Sequence, residues 1–442
     1  MNMLEIAQAL LLKNRTIVSR DYEEAVAMLA AEIPLEIHRF PSGSDHGTWI
    51  VPPQWDVIKA ELTDGAEVIA SYRDHPLFLA PYSCSFSGWV TREELLGHLR
   101  TDPAKPDAYV YEYRLAADYQ KRLKDWVISL PHKVVGKLDK PRYFVDIQVK
   151  TQTGDMLVAE SRHEGKMEQG FAFLSHLCHP GQLNDGLAGV AAGIEVMKRI
   201  KKMFPTAKYT YSLLIMPETF GSAIYAAANF EKMNRFMGAI FLETPGIREK
   251  LHLKLSRRGT AYLDRIMRYV MQNHGAPYDV FSFHEGYGND EKIFDYPGIG
   301  VPALSLQRYP LRTYHTSADD LSGNDTSNME EIVDILLRAV GLIERDFIPR
   351  FRQNVPVYLT RFSLYSDAVT QRDRYLVNLM AQELAWQGLS AFDIALKLGV
   401  PHQVIMDYLE RFVEHGLVEP VPLTPEYARE GRPERDGVSG SE

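Results

Sequence analysis

Four apolar runs of strand length, each closing on or just before a possible cation ligand, constrain this chain more than any other feature. They are GFAFLSHL (170–177), YTYSLLIMP (209–217), GAIFLETPG (238–246) and VPALSLQR (301–308), preceded by YFVDIQV (143–149). Helical patterns lie between them, as over Gly189–Lys202, where Val190, Ile194 and Met197 share a face. Unbroken apolar runs separated by helices are what strands buried on both faces look like. The alternation predicts an α/β layered domain over about residues 143–345.

The texture differs on either side. Residues 1–40 read as helical, with Leu4, Ala7, Leu10 and Leu11 on one face. From 49 to 142, short β-like pieces such as EVIASY (67–72) and LFLAPYS (77–83) alternate with turn signals, which predicts a small β-rich insert. The α/β domain is then discontinuous, built from 1–48 and 143–350. Beyond it, Ser390 and Asp393 read as a capping box and Gly399 as a turn, with Val404, Leu409, Phe412 and Val413 as an inner face. With GLVEPVPL (416–423) as a wing, residues 351–425 are expected to form a winged helix. The polar stretch 426–442 is expected to be disordered.

Charge narrows the partners. A formal net charge of −9 gives no global field toward nucleic acid or an anionic membrane. No apolar run approaches the roughly 20 residues that span a bilayer. The start, MNMLEIAQALLLKNR, lacks the basic segment and cleavage site of a signal peptide. Cys84 and Cys178 cannot build a disulfide framework. A cytoplasmic protein is expected. A regulatory DNA-binding role through the winged helix is the main rival from another class. Against it, Gln371–Pro420 holds four basic and seven acidic side chains, and Arg411 is the only basic residue of the recognition helix near 402–414. Packing or homo-oligomerisation suits that tail better.

The chemistry collects where such sheets place it, beyond the carboxyl ends of strands. His176 closes its strand, and His179 and Asp185 follow in HLCHPGQLNDGLAGV. Glu218 follows the next strand in PETFGS, Glu243 ends the third, and His315 stands in YHTSADDL. Singly, each has an ordinary explanation: a hydrogen-bonded strand-end histidine, an Asp-Gly turn, a helix start favoured by the macrodipole. Glu243 is harder to dismiss, because a carboxylate ending an apolar strand needs compensation for its lost hydration. Together, imidazoles and carboxylates from separate strand ends suit a divalent ion, zinc above all.

This order and these local sequences resemble the co-catalytic zinc aminopeptidases over about residues 165–345. His176 with Asp185 in NDGLAGV, Glu218 in PETFGS, Glu243 at a strand end, and GVPALSL followed by His315-Thr316 and Asp319 carry the resemblance. It implies a three-layer α/β/α mixed-sheet fold and one or two zinc ions held by His176 or His179, Asp185, Glu243 and His315. It also implies Glu218 as general base, in hydrolysis of an amide in a short peptide or small molecule. With the insert and the winged helix, the whole chain is similar to a subgroup of uncharacterised bacterial aminopeptidase-like proteins. Two positions depart from the pattern. The paired glutamates of the family are here Glu218-Thr219, and the Asp that orients the first His is replaced by Cys178, with His179 beside it. The scaffold also resembles the single-zinc glutaminyl cyclases, so a zinc amidase, deacylase or cyclase acting on a non-peptide small molecule is the alternative. Asp319 and Asp290 are candidates to orient a ligating imidazole. Arg308 and Arg312 are candidates to receive a substrate carboxylate.

Overall fold

The four apolar runs become neighbouring parallel strands at the centre of an eight-stranded sheet in the computed structural model, which describes residues 1–112 and 124–430. In chain order the strands are β1 (Glu36–Pro41), β2 (Asp155–His163), β3 (Gly170–His176), β4 (Thr210–Met216), β5 (Phe236–Glu243), β6 (Lys250–Lys254), β7 (Tyr278–Phe281) and β8 (Ala303–Tyr309). Across the sheet they run β1-β2-β4-β3-β5-β8-β6-β7. The central β4, β3, β5 and β8 are parallel; β2 is antiparallel to β1 and β4, and β6 to β8.

Burial on both faces explains the missing polar alternation. Phe171, Phe173, Ile240 and Leu242 enter one core, while Ala172, Leu174, Ala239 and Phe241 enter the other. Each large side chain removed from water contributes roughly 1.5–3 kcal/mol. Helices Met3–Leu10, Arg20–Ala30, Ala188–Met203, Tyr262–Gln272 and Thr326–Arg345 cover the first face. Helix Phe220–Ala228 and a second sheet cover the other. Gly189 lets Ala188–Met203 lie close, since a Cβ there would sit 2.4 Å from the Leu242 carbonyl oxygen.

The second sheet has four antiparallel strands in the order Val68–Ser71, Gln54–Thr63, Arg142–Gln152, Phe86–Thr91. Arg142–Gln152, expected to open the α/β layer, is therefore part of the insert, and the layer resumes at β2. Its alternation of buried Tyr143, Val145 and Ile147 with less buried Phe144, Asp146 and Gln148 is that of a sheet with one wet face. Residues 36–40, expected to be helical, fall in the edge strand β1.

Past the body come helices Arg372–Trp386, Ala391–Leu398 and His402–Glu414, and Val418–Val421 pairs antiparallel with Ile348–Phe351. Ser390 caps the second helix by accepting the Asp393 N–H, and Gly399 ends it at φ +64°. The Asp393 carboxylate does not return to Ser390 as a capping box requires; it binds Arg265 of the body at 2.7 and 2.8 Å. Val404, expected inside, is exposed. The expected disorder from 426 is corrected at its start, because Pro425–Arg429 is helical and Arg429 donates to the carbonyl oxygens of Met233 and Phe236. The rest of that expectation, 431–442, lies outside the described residues. Among the described residues no helix is long and apolar enough to cross a membrane.

Candidate metal centre

The strand order turns back between β3 and β5, and the crevice at that switch point is flanked by His176 and Glu243. After His176 the chain folds tightly back toward helix Ala188–Met203. Arg15, fully buried, holds this loop by donating to the carbonyl oxygens of Leu177 (2.6 Å) and His179. Asp185 precedes Gly186, which sits at φ +112°, and a Cβ there would lie 2.6 Å from the His176 carbonyl oxygen. Only glycine satisfies both the backbone angle and the approach, so the Asp-Gly pair is what lets Asp185 turn toward His176.

The five candidate ligands converge. His176 Nε2 is 3.4 Å from Asp185 Oδ1 and 3.7 Å from Glu243 Oε2. His315 Nε2 is 3.5 Å from the other Asp185 oxygen, Oδ2. His179 Nε2 is 3.3 Å from Glu218 Oε2, and its Nδ1 is 3.0 Å from His176 Nδ1. Two triads, His176–Asp185–Glu243 and His179–Asp185–His315, each bring one ligand atom per residue within 4.8 Å of the others and share Asp185. His176 Nε2 and Asp185 Oδ2 are buried without a hydrogen-bond partner, although buried polar atoms normally find one. A cation would satisfy both, and the mixed imidazole–carboxylate donor set fits zinc.

The electrostatics are those of a cluster short of positive charge. Burial opposes a charge on His176, yet Cys178, Glu243 and Asp185 together lift its pKa well above the usual histidine range. Burial drives His179 far below that range, aided by charge on His176 and His315, and brings His315 to about 4. Both are thereby kept as neutral imidazoles, the form that ligates metals. Burial, with Glu243 and Glu218 nearby, raises Asp185 well above an ordinary carboxyl despite the opposing pull of His176. A bound divalent ion would relieve this crowding of acids.

Three residues at or beside the cluster hold positive φ: Thr219 (+62°) after Glu218, Thr244 (+45°) after Glu243, and His315 (+53°). Such conformations cost on the order of 1–3 kcal/mol each and persist only where neighbours enforce them. The Thr219 N–H donates to Asp290 Oδ1 at 2.8 Å, and Ser222 donates to the same oxygen at 2.5 Å. The Thr244 hydroxyl donates to the Arg308 carbonyl at 2.6 Å. The His315 carbonyl accepts the Tyr111 N–H at 2.8 Å.

The residues expected in supporting roles fare differently. Asp290, raised by burial to about 7, braces the turn that carries Glu218 and does not orient an imidazole. Asp319, raised by burial to about 6, accepts the backbone N–H groups of Asn184 and Asp185 and the Asn184 side-chain amide, so it too holds backbone. Arg308 and Arg312 are not brought to the cluster. The Arg308 guanidinium binds Glu331 and the Glu249 carbonyl, and exposed Arg312 pairs with Glu249 at 2.6 Å.

Sequence reasoning missed Tyr111 and Asn289, and gave Cys178 no bond to Glu218. The Tyr111 ring stands edge-on to both His179 and His315, with centroids 5.2 Å apart in each case. It comes from the insert, whose Val110 forms an antiparallel bridge with Thr316. Asn289 donates to Glu243 Oε2 at 2.8 Å; its own N–H binds Glu291, which pairs with buried Lys254 at 2.8 Å. Cys178 Sγ accepts the Glu218 N–H at 3.2 Å. Burial raises that thiol, which argues against a nucleophile. Tyr111 and Asn289 carry no motif, although Asn289 directly precedes the acid singled out at 290.

Comparison with known proteins fits this description. Residues 4–346 match the family described as a domain of unknown function (DUF4910). A curated relative from Clostridium acetobutylicum is 28% identical over 335 residues, 75% of each chain. Its name, polysaccharide biosynthesis protein with aminopeptidase-like domain, is itself provisional. A solved structure from the same species, provisionally named a peptidase, has a TM-score of 0.82 at 24% identity and covers 95% of this chain and 96% of its own. BSAP, a zinc aminopeptidase from Bacillus subtilis, has a TM-score of 0.52 at 12% identity, covering 77% of this chain and 94% of its own. The mixed α/β fold of the chain is that of aminopeptidase-like structures.

Proposed function

Because the chain belongs to the family described as a domain of unknown function (DUF4910), whose description names no reaction, we propose from its own centre that it is a zinc-dependent hydrolase of amide bonds, aminopeptidase-like in kind. One observation carries the reading: His176, His179, Asp185, Glu243 and His315 approach to ligand reach from three separate parts of the chain, with Glu218 from a fourth beside them. Asp185 turns one oxygen toward His176 and the other toward His315, so its carboxylate would serve zinc held by either triad. Bound zinc would supply Lewis acidity and lower the pKa of a water toward ~7.

The protein's own share falls to residues with access to that water. Glu218 is 17% exposed, whereas Asp185 and Glu243 are nearly sealed. In this reading Glu218 Oε2 takes the water's proton and returns it to the leaving amine, work typically worth roughly 10²–10⁴-fold. Asn289 keeps Glu243 oriented, and Tyr111 walls the side where the two outer imidazoles meet. The helical tail, read as a winged helix, serves packing or self-association in preference to DNA, given its acidic balance. Two cysteines with no disulfide between them fit a cytoplasmic setting.

Mass spectrometry for bound metal, with hydrolysis of aminoacyl-anilides before and after chelation, tests the proposal. N-acylated amino sugars belong in the panel, since the curated relative's name ties it to polysaccharide biosynthesis. Bound zinc and zinc-restored cleavage are expected. Protein that neither holds metal nor gains activity from it would remove the reading.

A further inference from the structure

Eight of the 22 exposed large apolar side chains among the described residues fall between Val355 and Trp386. Four lie on helix Arg372–Trp386: Leu376, Leu379, Met380 and Trp386, exposed by 40%, 41%, 45% and 57%. At helical spacing the first three share one face, continued by Arg372 at its start and Glu383 toward its end, with Trp386 at the margin. The opposite face, Asn378, Ala381, Leu384 and Ala385, is buried against the rest of the C-terminal module. A helix that is apolar on both faces is ordinarily covered on both. The described chain covers one.

We propose that this outer face pairs with the same face of a second copy, antiparallel about a two-fold axis. From its N-terminal end the stripe reads cation (Arg372), apolar (Leu376), apolar (Leu379 and Met380), anion (Glu383). Antiparallel pairing sets Arg372 of each copy against Glu383 of the other, and Leu376 against Leu379 and Met380. It also opposes the two helix dipoles. Parallel pairing would stack like charges. Arg372 and Glu383 are exposed and neither forms an ion pair within the described residues. The patch is thus self-complementary, as a two-fold interface requires. Residues 431–442 of the same chain carry Val438 as their only aliphatic side chain, too little to cover the stripe. The pairing is independent of the metal centre, and either can fail alone.

Sedimentation velocity of the full chain across a concentration range tests it. A concentration-dependent dimer is expected, with Leu379→Glu plus Met380→Glu giving a monomer of unchanged helical circular dichroism. Arg372→Glu or Glu383→Arg alone weakens the dimer about tenfold, because two attractive contacts become repulsive, and the double variant recovers it. A chain monomeric at every concentration would overturn the proposal. So would a dimer indifferent to positions 379 and 380, or charge variants that the double exchange does not rescue.

Discussion

Asp319 accepts the backbone N–H of Asp185 at 2.9 Å, so the carboxylate that faces two imidazoles is held from behind by another carboxylate. The grip acts through backbone, and it fixes where Asp185 points without using the Asp185 side chain. Asp319→Asn would turn a donor toward one of the N–H groups now accepted. Metal affinity should fall roughly 10–100-fold, as it does when residues that orient ligands are lost. Competition with a chromophoric chelator measures this; an unchanged affinity would show that the loop holds Asp185 unaided.

Glu218 and Asp185 should separate by phenotype. Glu218→Gln keeps its backbone bond to Cys178 Sγ and leaves both triads intact. It should retain metal while losing roughly 10²–10⁴-fold in hydrolysis. Asp185→Asn should lose metal itself, since both triads share that residue. Metal content and turnover on the same preparations distinguish them, and loss of metal in the Gln variant would reassign Glu218 as a ligand.

Tyr111 should matter through its ring. Tyr111→Phe keeps the edge-on contacts with His179 and His315 and should bind metal as the parent does. Tyr111→Ala empties a fully enclosed site, should cost about 3–5 kcal/mol in denaturant unfolding, and should loosen metal binding with it. Parent-like affinity in the Ala variant would mean that the insert only borders the centre.

Asp346 lies where body and C-terminal module meet and accepts bonds from Phe347 N (2.9 Å), Phe392 N (2.9 Å) and the Tyr262 hydroxyl (2.8 Å). Burial still lifts its pKa to about 6. A carboxyl whose folded pKa exceeds its unfolded value holds its proton more tightly when folded, so its ionisation destabilises the fold as pH rises. Between about pH 4 and 6 this should remove about 3 kcal/mol, levelling above. Asp346→Asn can keep both N–H bonds and donate to Tyr262. Its stability relative to the parent should therefore grow across that window, which denaturant titrations at several pH values read directly. A constant difference would place the native carboxyl at an ordinary pKa.

What the sequence revealed follows from how local each signal is. Strands buried on both faces announce themselves as apolar runs, and their polar ends stand out against that background, so the six side chains that converge at the candidate centre were legible. Sheet membership is not local: Arg142–Gln152 reads as a strand wherever it pairs, and only its alternation hinted at a one-sided sheet. Arg308 and Arg312 looked free because Glu249 and Glu331 are distant in sequence from one or both. Tyr111 was silent because an aromatic in an irregular stretch looks like any core residue. Arg15, buried under the loop after His176, reaches two carbonyls more than 160 positions away.

The bridge between Val110 and Thr316 solders two jobs together at one point of backbone. The outer strands of the small sheet can drift, lengthen or change their surface without touching the His315 turn. A deletion that reaches Tyr109–Tyr111 would let go of the turn on which His315 stands. The same few backbone atoms therefore fix both how the insert borders the centre and where the His315 turn stands.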